Sequence, residues 1–239
     1  MELKMKKYLV VMLAVWGLSL LTISCSDNDK EPVVIPTASG TVADKDGNEY
    51  HWVRIGQLDW MTENLHCDLP FYEDLYNDKW TVDGYYPLSL GIDAQTREQY
   101  YENFGNYYTW QEAVDDAPEG WRLPTDEDFK TLERQLGMAE SDLDKEGWRN
   151  AAGFLMAQQD GTMLNFRYGG QICNYDGTIS MGLYHPGDYG YYWTATSSTV
   201  NNEAAAWARM ITPVKNAVKR LEVLQDGHCL SVRYVRDVQ

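Results

Sequence analysis

The sequence predicts an α+β domain whose second half is dominated by strands. Three observations support this fold class. The segment LPTDEDFKTLERQLG, residues 123–137, has the spacing of an amphipathic helix. Turn signals, such as Asp46-Gly47-Asn48, separate short runs of β-branched and aromatic residues. Beyond Asn150, such runs follow one another without a further long helical pattern. We expect one main amphipathic helix, one shorter helix and a mostly antiparallel, hairpin-rich sheet.

The N-terminus has the features of an export signal. Three lysines, Lys4, Lys6 and Lys7, precede an apolar run over residues 8–23. The run is shorter than the roughly 20 residues that cross a bilayer as a helix, and a small residue followed by cysteine closes it. Residues 1–24 are therefore predicted to be a signal peptide.

The string LTISC, which ends at Cys25, is typical of lipoprotein processing sites. Thr22 stands where leucine is commonest in such sites, so a plain secretory signal is the alternative. The polar stretch that follows has the composition of a tether, and residues 25–39 are assigned to the lipidated cysteine and this acidic tether. Its acidic residues resemble the surface-export signals of Bacteroidetes lipoproteins. The prediction is a cell-envelope protein, anchored to the outer membrane by lipid and exposed at the surface.

Length and charge describe the rest of the chain. Residues 40–239 have the size of one domain. The whole chain has a formal net charge of -16, and removing residues 1–24, which carry three lysines and one glutamate, leaves about -18. Because an acidic domain repels phosphate-rich polymers, we expect no nucleic-acid partner.

A β-hairpin is predicted to open the domain. Asp46-Gly47-Asn48 lies between two runs rich in Val, Tyr and Trp, which is a hairpin signal. The same DKDGNE string could be a calcium loop, but the flanking helices and the downstream glutamate of an EF-hand are missing.

The main helix is predicted to begin after Thr125, with capping residues at its start and Gly137 as its stop. Its apolar stripe is expected to face the core, and its charged residues Glu127, Lys130, Glu133 and Arg134 are expected to face water. A shorter helix is predicted over residues 109–114. After Asn150, strands are predicted in the segments MLNFRYGG, QICNYDGTI, GYYWTATS, AAAWARMI, KRLEVL and CLSVRYVRD.

The cysteines and histidines form no metal-binding pattern. Apart from Cys25, the chain has Cys67, Cys173 and Cys229, an odd number at wide spacing and without a CxxC pair. Two of them could form a disulfide in an oxidising compartment, but three cannot all be paired within one chain. The dipeptides His66-Cys67 and His228-Cys229 repeat, yet adjacent strand residues point to opposite faces and rarely share an ion. We expect neither a metal nor a cofactor.

Several strings, in order along the chain, carry a family resemblance: DKDGNEY, WMTENL, YYTWQEAV, PEGWRLPTDEDF, GYYWTAT, AWARMI and SVRYVRD. They resemble the Fibrobacter succinogenes major paralogous domain of Bacteroidetes and Fibrobacteres surface proteins, over about residues 40–237. The resemblance implies a C-type-lectin-like fold. RLPTDEDFKTLE is also similar to a motif of formylglycine-generating-enzyme-type domains, which share that fold.

Two departures from the family pattern stand out. The family has cysteines before PEGW and in its closing strand, where this chain has Ala117 and Tyr234. The resemblance implies that these family cysteines form a disulfide, which packing replaces in this chain. The second departure is an insert at about residues 68–106, which is rich in Tyr and Asp. Loops and inserts carry function more often than cores do.

No catalytic motif supports an enzyme, because GxSxG, HExxH, P-loop and dinucleotide-binding patterns are all absent. Formylglycine-generating chemistry needs two neighbouring cysteines for copper, and Cys173 and Cys229 do not stand in the matching context. The calcium-binding strings of sugar-binding lectins are also missing, and a lectin fold alone does not imply lectin activity. We therefore expect no catalytic residues.

The 9 tryptophans and 17 tyrosines favour a binding protein, because aromatic side chains suit sugars and protein interfaces. Tryptophans inside the family motifs are expected to pack in the core, namely Trp52, Trp60, Trp110, Trp121, Trp193 and Trp207. The candidate ligand-binding residues lie in the insert and are Trp80, Tyr85, Tyr86, Tyr100 and Tyr101. The expected ligand is an extracellular glycan or a surface protein. The alternatives are an insert that covers a sheet edge, and a structural or assembly subunit of a surface complex or appendage.

Overall fold

The structure is a computed structural model, and it describes residues 32–68, 94–173 and 182–238. All of these belong to one compact unit that begins at Glu31. The predicted signal peptide, Cys25 and the candidate residues Trp80, Tyr85 and Tyr86 lie outside the described residues.

The part of the domain that the structure describes contains three antiparallel sheets. The first has the strand order β1-β2-β3-β11, the second β10-β5-β6 and the third β4-β9-β8-β7. The strands are β1 (Ser39–Ala43), β2 (Glu49–Ile55), β3 (Leu58–Met61), β4 (Gly147–Asn150), β5 (Gln171–Cys173), β6 (Gly182–Tyr184), β7 (Gly190–Val200), β8 (Glu203–Ile211), β9 (Ala217–Leu224), β10 (His228–Cys229) and β11 (Val235–Asp237). The chain thus has the predicted α+β character with mostly antiparallel pairing.

Within the described residues, four α-helices connect or cover these sheets. They are α1 (Ala94–Phe104), α2 (Trp110–Asp115), α3 (Asp126–Gln135) and α4 (Gly153–Ala157), and a single 3₁₀ turn spans Glu140–Asp142. Among the described helices, none is long and apolar enough to cross a membrane.

The opening hairpin forms as the sequence predicts. β1 pairs with β2 in antiparallel register, from Ala43 opposite Glu49 to Ser39 opposite Val53. In the turn, Asp44 accepts backbone hydrogen bonds from Asp46 and Asn48 on Oδ1, at 2.9 and 3.0 Å. The aspartate therefore closes the turn with its own backbone neighbours, as side chains of this type do in turns.

Both predicted helices are present and begin with capping boxes. Thr109 caps α2 and Thr125 caps α3, and in each the third helical residue bonds back to the capping residue. Helices α1 and α4 were not predicted. Gly105, with a φ of 75°, ends α1, but the helix has no clear apolar stripe. Helix α4 has only five residues, which is too short for a periodic pattern.

Helix α3 packs on one face of the β4-β9-β8-β7 sheet. Phe129 and Leu132 lie with Ile211 and Val218 in a fully buried cluster. The prediction that Glu133 faces water is wrong, because this side chain is completely buried. Its charge is tolerated there because arginines from the sheet bond to it, which the helical pattern cannot reveal.

The opposite face of the same sheet contributes to a second apolar cluster. Trp193 and Ala208 pack there with residues of the first sheet and its connections, including Tyr50, Leu65 and Tyr234. The two clusters give the domain a core on both sides of one sheet.

The segment MLNFRYGG is irregular, so the predicted strand there is wrong. Residues 163–169 have no strand pairing. Met163 and Asn165 have φ values of 57° and 52°, in the left-handed region that strands do not use. This segment belongs to a loop over residues 158–169, and it forms one wall of the clefts described below.

Residues 32–38, which the composition assigned to the tether, lie extended against the domain. The Thr37 N–H donates to the Arg54 carbonyl at 3.0 Å, and Arg54 N–H donates to the Ala38 carbonyl at 2.8 Å. Val34 packs on the core cluster that contains Phe129. The segment therefore extends the pairing of the first sheet before β1 begins.

Candidate functional site

A cleft of about 350 Å³ opens between the β1-β2 hairpin and the 158–169 loop. Its walls come from β1, β2, the connection after β3 and that loop. The lining residues that bear on binding are His51, Trp52, Glu63, Met163, Asn165 and Arg167. Small cavities with an apolar lining and a few polar groups are typical ligand sites.

A second cleft, of about 340 Å³, adjoins the first. Glu63, Asn165 and Arg167 line both, and the second cleft is completed by the end of α1, including Tyr101. We call the pair of cavities the joined clefts. Their shared residues come from the connection after β3 and from the 158–169 loop, so these two segments define the site.

Glu63 and His51 form a bonded pair at the rim. His51 Nδ1 lies 3.0 Å from Glu63 Oε1, and the His51 backbone N–H donates to Glu63 Oε2 at 2.8 Å. Thr62 Oγ1 donates to the same Oε2 at 3.0 Å. These bonds hold the carboxylate in place although 39% of the side chain is exposed.

Arg167 is held by its backbone rather than by its side chain. Its N–H donates to Tyr192 Oη at 2.6 Å, and Tyr192 Oη donates to the Arg167 carbonyl at 2.7 Å. Gly190 allows this close approach, because a Cβ there would lie 2.0 Å from the Arg167 oxygen. Among the residues that the structure describes, the Arg167 guanidinium bonds no acceptor.

Asn165 leaves an acceptor unused beside Arg167. Its Nδ2 donates to the Thr62 carbonyl at 3.3 Å. Its Oδ1 is buried and accepts no hydrogen bond within the described part of the chain. A buried acceptor of this kind costs free energy unless a ligand or water bonds to it.

Arg233 ties the two walls of the joined clefts together from below. Its guanidinium donates to Asn64 Oδ1 at 2.6 Å, in the connection after β3, and to the carbonyl of Met61, the last residue of β3, at 2.9 Å. It also donates to the Leu164 and Asn165 carbonyls, at 2.8 and 2.6 Å, in the 158–169 loop. One fully buried side chain therefore fixes the relative position of both segments.

Comparison with known proteins identifies the domain. A family model described as the Fibrobacter succinogenes major domain matches residues 53–236. The chain belongs to this family. No curated protein and no solved structure matches the chain significantly. The matched range contains Glu63, Asn165, Arg167 and Arg233, whereas His51 lies just before it.

Two of the sequence-predicted site residues of this Fibrobacter succinogenes major domain are described, and both lie on α1. Tyr101 lines the second cleft, and its hydroxyl donates to the His66 carbonyl at 2.8 Å. Tyr100 is half-buried beside Phe104, with ring centroids 5.8 Å apart, and lines neither of the joined clefts. The structure therefore brings Tyr101 to the site and leaves Tyr100 in a packing contact.

Trp52 lies in the first cleft, although the sequence favours packing for it. Its Nε1 donates to the Thr41 carbonyl at 3.2 Å, and its ring covers Gly40 so closely that a Cβ there would lie 2.6 Å away. The Arg236 guanidinium lies 4.9 Å from its ring centre. The ring is thus fixed by packing while it remains part of the cleft wall.

Sequence reasoning missed the polar members of the family domain's clefts. Glu63 stands in one segment, and Asn165 and Arg167 stand in another about 100 residues later, so only the fold brings them together. A signal for Asn165 was present, because asparagine is the residue that most readily adopts left-handed backbone after glycine.

Within the described ranges, Cys67, Asp68 and Asp116 have ligand atoms within 4.8 Å of one another, as a metal site would need. The Lys45 ammonium already lies between the carboxylates, 3.0 Å from Asp68 and 2.8 Å from Asp116. Burial raises the pKa of Cys67 to about 12, so its thiol stays protonated at neutral pH. The lysine thus supplies the positive charge that the two acids need.

Cys173 and Cys229 lie on neighbouring strands but face opposite ways. In the β5-β10 pair, Cys229 stands opposite Ile172, whereas Cys173 stands opposite His228. Because directly opposed residues share a face and adjacent ones do not, the two sulfurs lie on different sides of the sheet. Both are buried thiols, and burial raises the pKa of Cys173 to about 11.

Proposed function

We propose that this protein is an exported, lipid-anchored surface protein whose non-catalytic domain binds an extracellular ligand in the joined clefts. The observation that carries the proposal is the pair of adjoining cavities with shared Glu63, Asn165 and Arg167. Within the described part of the chain, Arg167 contributes an unpaired guanidinium, Asn165 an unused acceptor and Glu63 a carboxylate. A rigid support beneath them, Arg233, is what a binding site needs to hold its groups in position.

The proposal includes a C-type-lectin-like fold, related to that of formylglycine-generating-enzyme-type domains. Membership of the Fibrobacter succinogenes major domain family supports it through the motifs quoted above. The antiparallel sheets and the capped helix α3 are compatible with it.

The proposal also holds that the domain has no enzymatic activity. Copper-dependent formylglycine chemistry would require two cysteine sulfurs at one ion. The opposite orientation of Cys173 and Cys229 argues against such a pair. The protonated, buried state of Cys67 argues against its use as a nucleophile.

Ligand binding can be tested with the full chain extracted in mild detergent and applied to a glycan array. We expect selective binding, and we expect His51→Ala to weaken it at least fivefold, because this exposed side chain holds Glu63 at the cleft rim. His185→Ala is the matched control, since this exposed histidine lines neither of the joined clefts.

A blank array, together with a stoichiometric protein partner that co-purifies with the chain, would instead identify an assembly subunit. If binding is found but is lost in a Tyr85→Ala, Tyr86→Ala double variant and not in His51→Ala, the ligand site is the insert rather than the joined clefts.

Anchoring is tested by labelling growing cells with radioactive palmitate. We expect label on the wild-type chain and none on Cys25→Ala, because Cys25 is the cysteine that directly follows the proposed signal peptide. Cys67→Ala, which should label normally, controls for expression. A Cys25→Ala chain that still takes up label and stays with membranes would contradict the proposal.

A further inference from the structure

Arg167 differs from the other arginines of the domain. Every other arginine whose side chain the structure describes donates to a protein acceptor: Arg54, Arg122, Arg134, Arg149, Arg209, Arg220, Arg233 and Arg236. The chain has 36 acidic and 20 basic residues, so acidic partners are abundant. A half-buried guanidinium left without one, in a cleft wall, is available to a ligand.

The charge around Arg167 favours a single anion. The nearby Arg233 guanidinium is completely buried and bonds only neutral oxygens. Burial lowers the pKa of Arg233 to about 10, so it stays charged at neutral pH. Two carboxylates, those of Glu63 and Glu102, line the joined clefts with Arg167, and Glu63 is already bonded to His51. The Arg167 guanidinium, unpaired among the described residues, therefore lies among acidic side chains, which favours a ligand that carries one negative charge over a ligand that carries several.

The form of the anion follows from the guanidinium. A planar guanidinium donates two parallel hydrogen bonds to a carboxylate, and such bidentate pairs are among the stronger polar contacts in proteins. A dense polyanion is disfavoured, because the net charge of -16 repels it as a whole. One carboxylate on an otherwise neutral molecule avoids this repulsion.

The remaining groups of the clefts suit a sugar ring. Glu63 and the unused Oδ1 of Asn165 are acceptors, which need hydroxyl donors. Trp52 and Met163 add apolar surface, and Met163 is 47% exposed. A pyranose ring has both hydroxyl donors and a C–H face that packs on aromatic and apolar side chains.

We propose that the joined clefts bind a carboxylate-bearing sugar of the uronate or sialate class, with its carboxylate on the Arg167 guanidinium and its hydroxyls on Glu63 and Asn165. This inference rests on the proposed function, because it assigns the chemistry of the ligand bound in the same clefts.

The test uses the detergent-extracted full chain and an array that carries uronate- and sialate-terminated oligosaccharides. Each acidic glycan is printed beside its methyl ester, which keeps the ring and removes the charge. We expect acidic glycans to bind at least tenfold more tightly than their esters. Arg167→Gln should remove this difference and leave binding of the esters within about twofold.

The matched control is Arg134→Gln, an exposed arginine that lines neither of the joined clefts and bonds Glu140. It should leave the preference for acid over ester unchanged. Near-UV circular dichroism checks that both variants are folded. We expect Arg167→Gln to fold like the wild type, because the Arg167 guanidinium bonds no acceptor in the described part of the chain. Equal binding of acids and esters, or a preference that survives in Arg167→Gln, overturns this inference while the proposed function stands. An array on which no glycan binds overturns the inference together with glycan recognition.

Discussion

Asp126, the first residue of α3, belongs to a buried network in which acidic and basic side chains are paired. Its carboxylate bonds the Arg209 Nη1 at 2.7 Å and the Arg220 Nη2 at 2.8 Å. Arg209 also bonds Glu133 at 2.6 Å, and Glu133 bonds Arg149 at the same distance. Each charge in this buried network has an opposite charge at hydrogen-bond distance, which is what allows charged groups in a core.

Asp126→Asn tests this network. Burial raises the pKa of Asp126, but the hydrogen bond from Arg220 and the charge of Arg209 outweigh burial and hold the pKa well below its ordinary value of 3.8. A carboxyl group whose pKa is lower in the folded chain stabilises the fold above about pH 3.8, its pKa in the unfolded chain. This stabilisation decreases below pH 3.8 and is gone once the pH falls below the pKa of the folded chain. We expect Asp126→Asn to cost about 3 kcal/mol of unfolding free energy at pH 7, because it leaves buried arginines unpaired.

The measurement is urea unfolding of the wild type and the variant from pH 7 to pH 2.5. The difference in unfolding free energy should narrow below pH 4, because Asp126 of the unfolded wild type takes up a proton there while Asp126 of the folded chain stays ionised. The exposed Asp160→Asn should differ from the wild type by less than about 0.5 kcal/mol throughout. The expectation would be contradicted if the unfolding free energies of the wild type and Asp126→Asn differ little at pH 7, or if their difference grows as the pH falls.

At the scale of elements, the 158–169 loop shows why a strand-like pattern can form a cleft wall. MLNFRYGG has the residue types of a strand, yet Met163 and Asn165 adopt left-handed backbone. Alternate left-handed residues turn the chain, so no strand partner can follow it. The buried Arg233 occupies two carbonyls of the loop, which would otherwise need ladder hydrogen bonds.

Met163→Gly tests the left-handed conformation. A left-handed backbone costs a residue with a Cβ roughly 1–2 kcal/mol, and glycine avoids this cost but loses about 0.5–1 kcal/mol of backbone entropy. We expect Met163→Gly to be more stable than Met163→Ala by up to about 1 kcal/mol in urea unfolding. The alanine variant is the matched control, because it also removes the side chain but keeps the Cβ. A glycine variant that is less stable than the alanine variant by about 0.5–1 kcal/mol, the entropy loss alone, would mean that Met163 is not left-handed in solution.

At the scale of the whole molecule, the fold places two distant positions in one apolar cluster, and the family resemblance implies a disulfide between these positions. Ala117 and Tyr234 stand at the two positions where the family has cysteines, and both belong to the apolar cluster that contains Trp193. Tyr234 is completely buried. The two positions therefore share one apolar cluster, and the replacement of the family disulfide by packing stays a prediction.

An Ala117→Cys, Tyr234→Cys double variant should form that disulfide. It is made together with Cys67→Ala, because Cys67 lies in the same cluster and could compete. After mild oxidation, a thiol titration in denaturant should count two fewer thiols for the double variant than for the same chain after reduction. Each single variant should lose none. A double variant that keeps both thiols would show that these positions are too far apart for a bond.

The sequence by itself determined the elements whose signals are local. The hairpin at Asp46-Gly47, the capped helix after Thr125 and the family membership follow from neighbouring residues, because turns, caps and motifs are properties of short segments. Helix α1 was not predicted because it has no clear apolar stripe, and the glycine that ends it, Gly105, does not by itself indicate a helix. Of the predicted ligand-binding residues that the structure describes, Tyr101 lines the second cleft and Tyr100 lines neither of the joined clefts.

Only the tertiary structure decided which polar residues meet. Glu133 is buried because Arg149 and Arg209 come from strands far along the chain. Glu63 and Arg167 share the joined clefts because Arg233, near the C-terminus, bonds both segments that carry them. Long-range pairing of charges and the position of a cleft depend on how separate segments pack, which local sequence patterns do not contain.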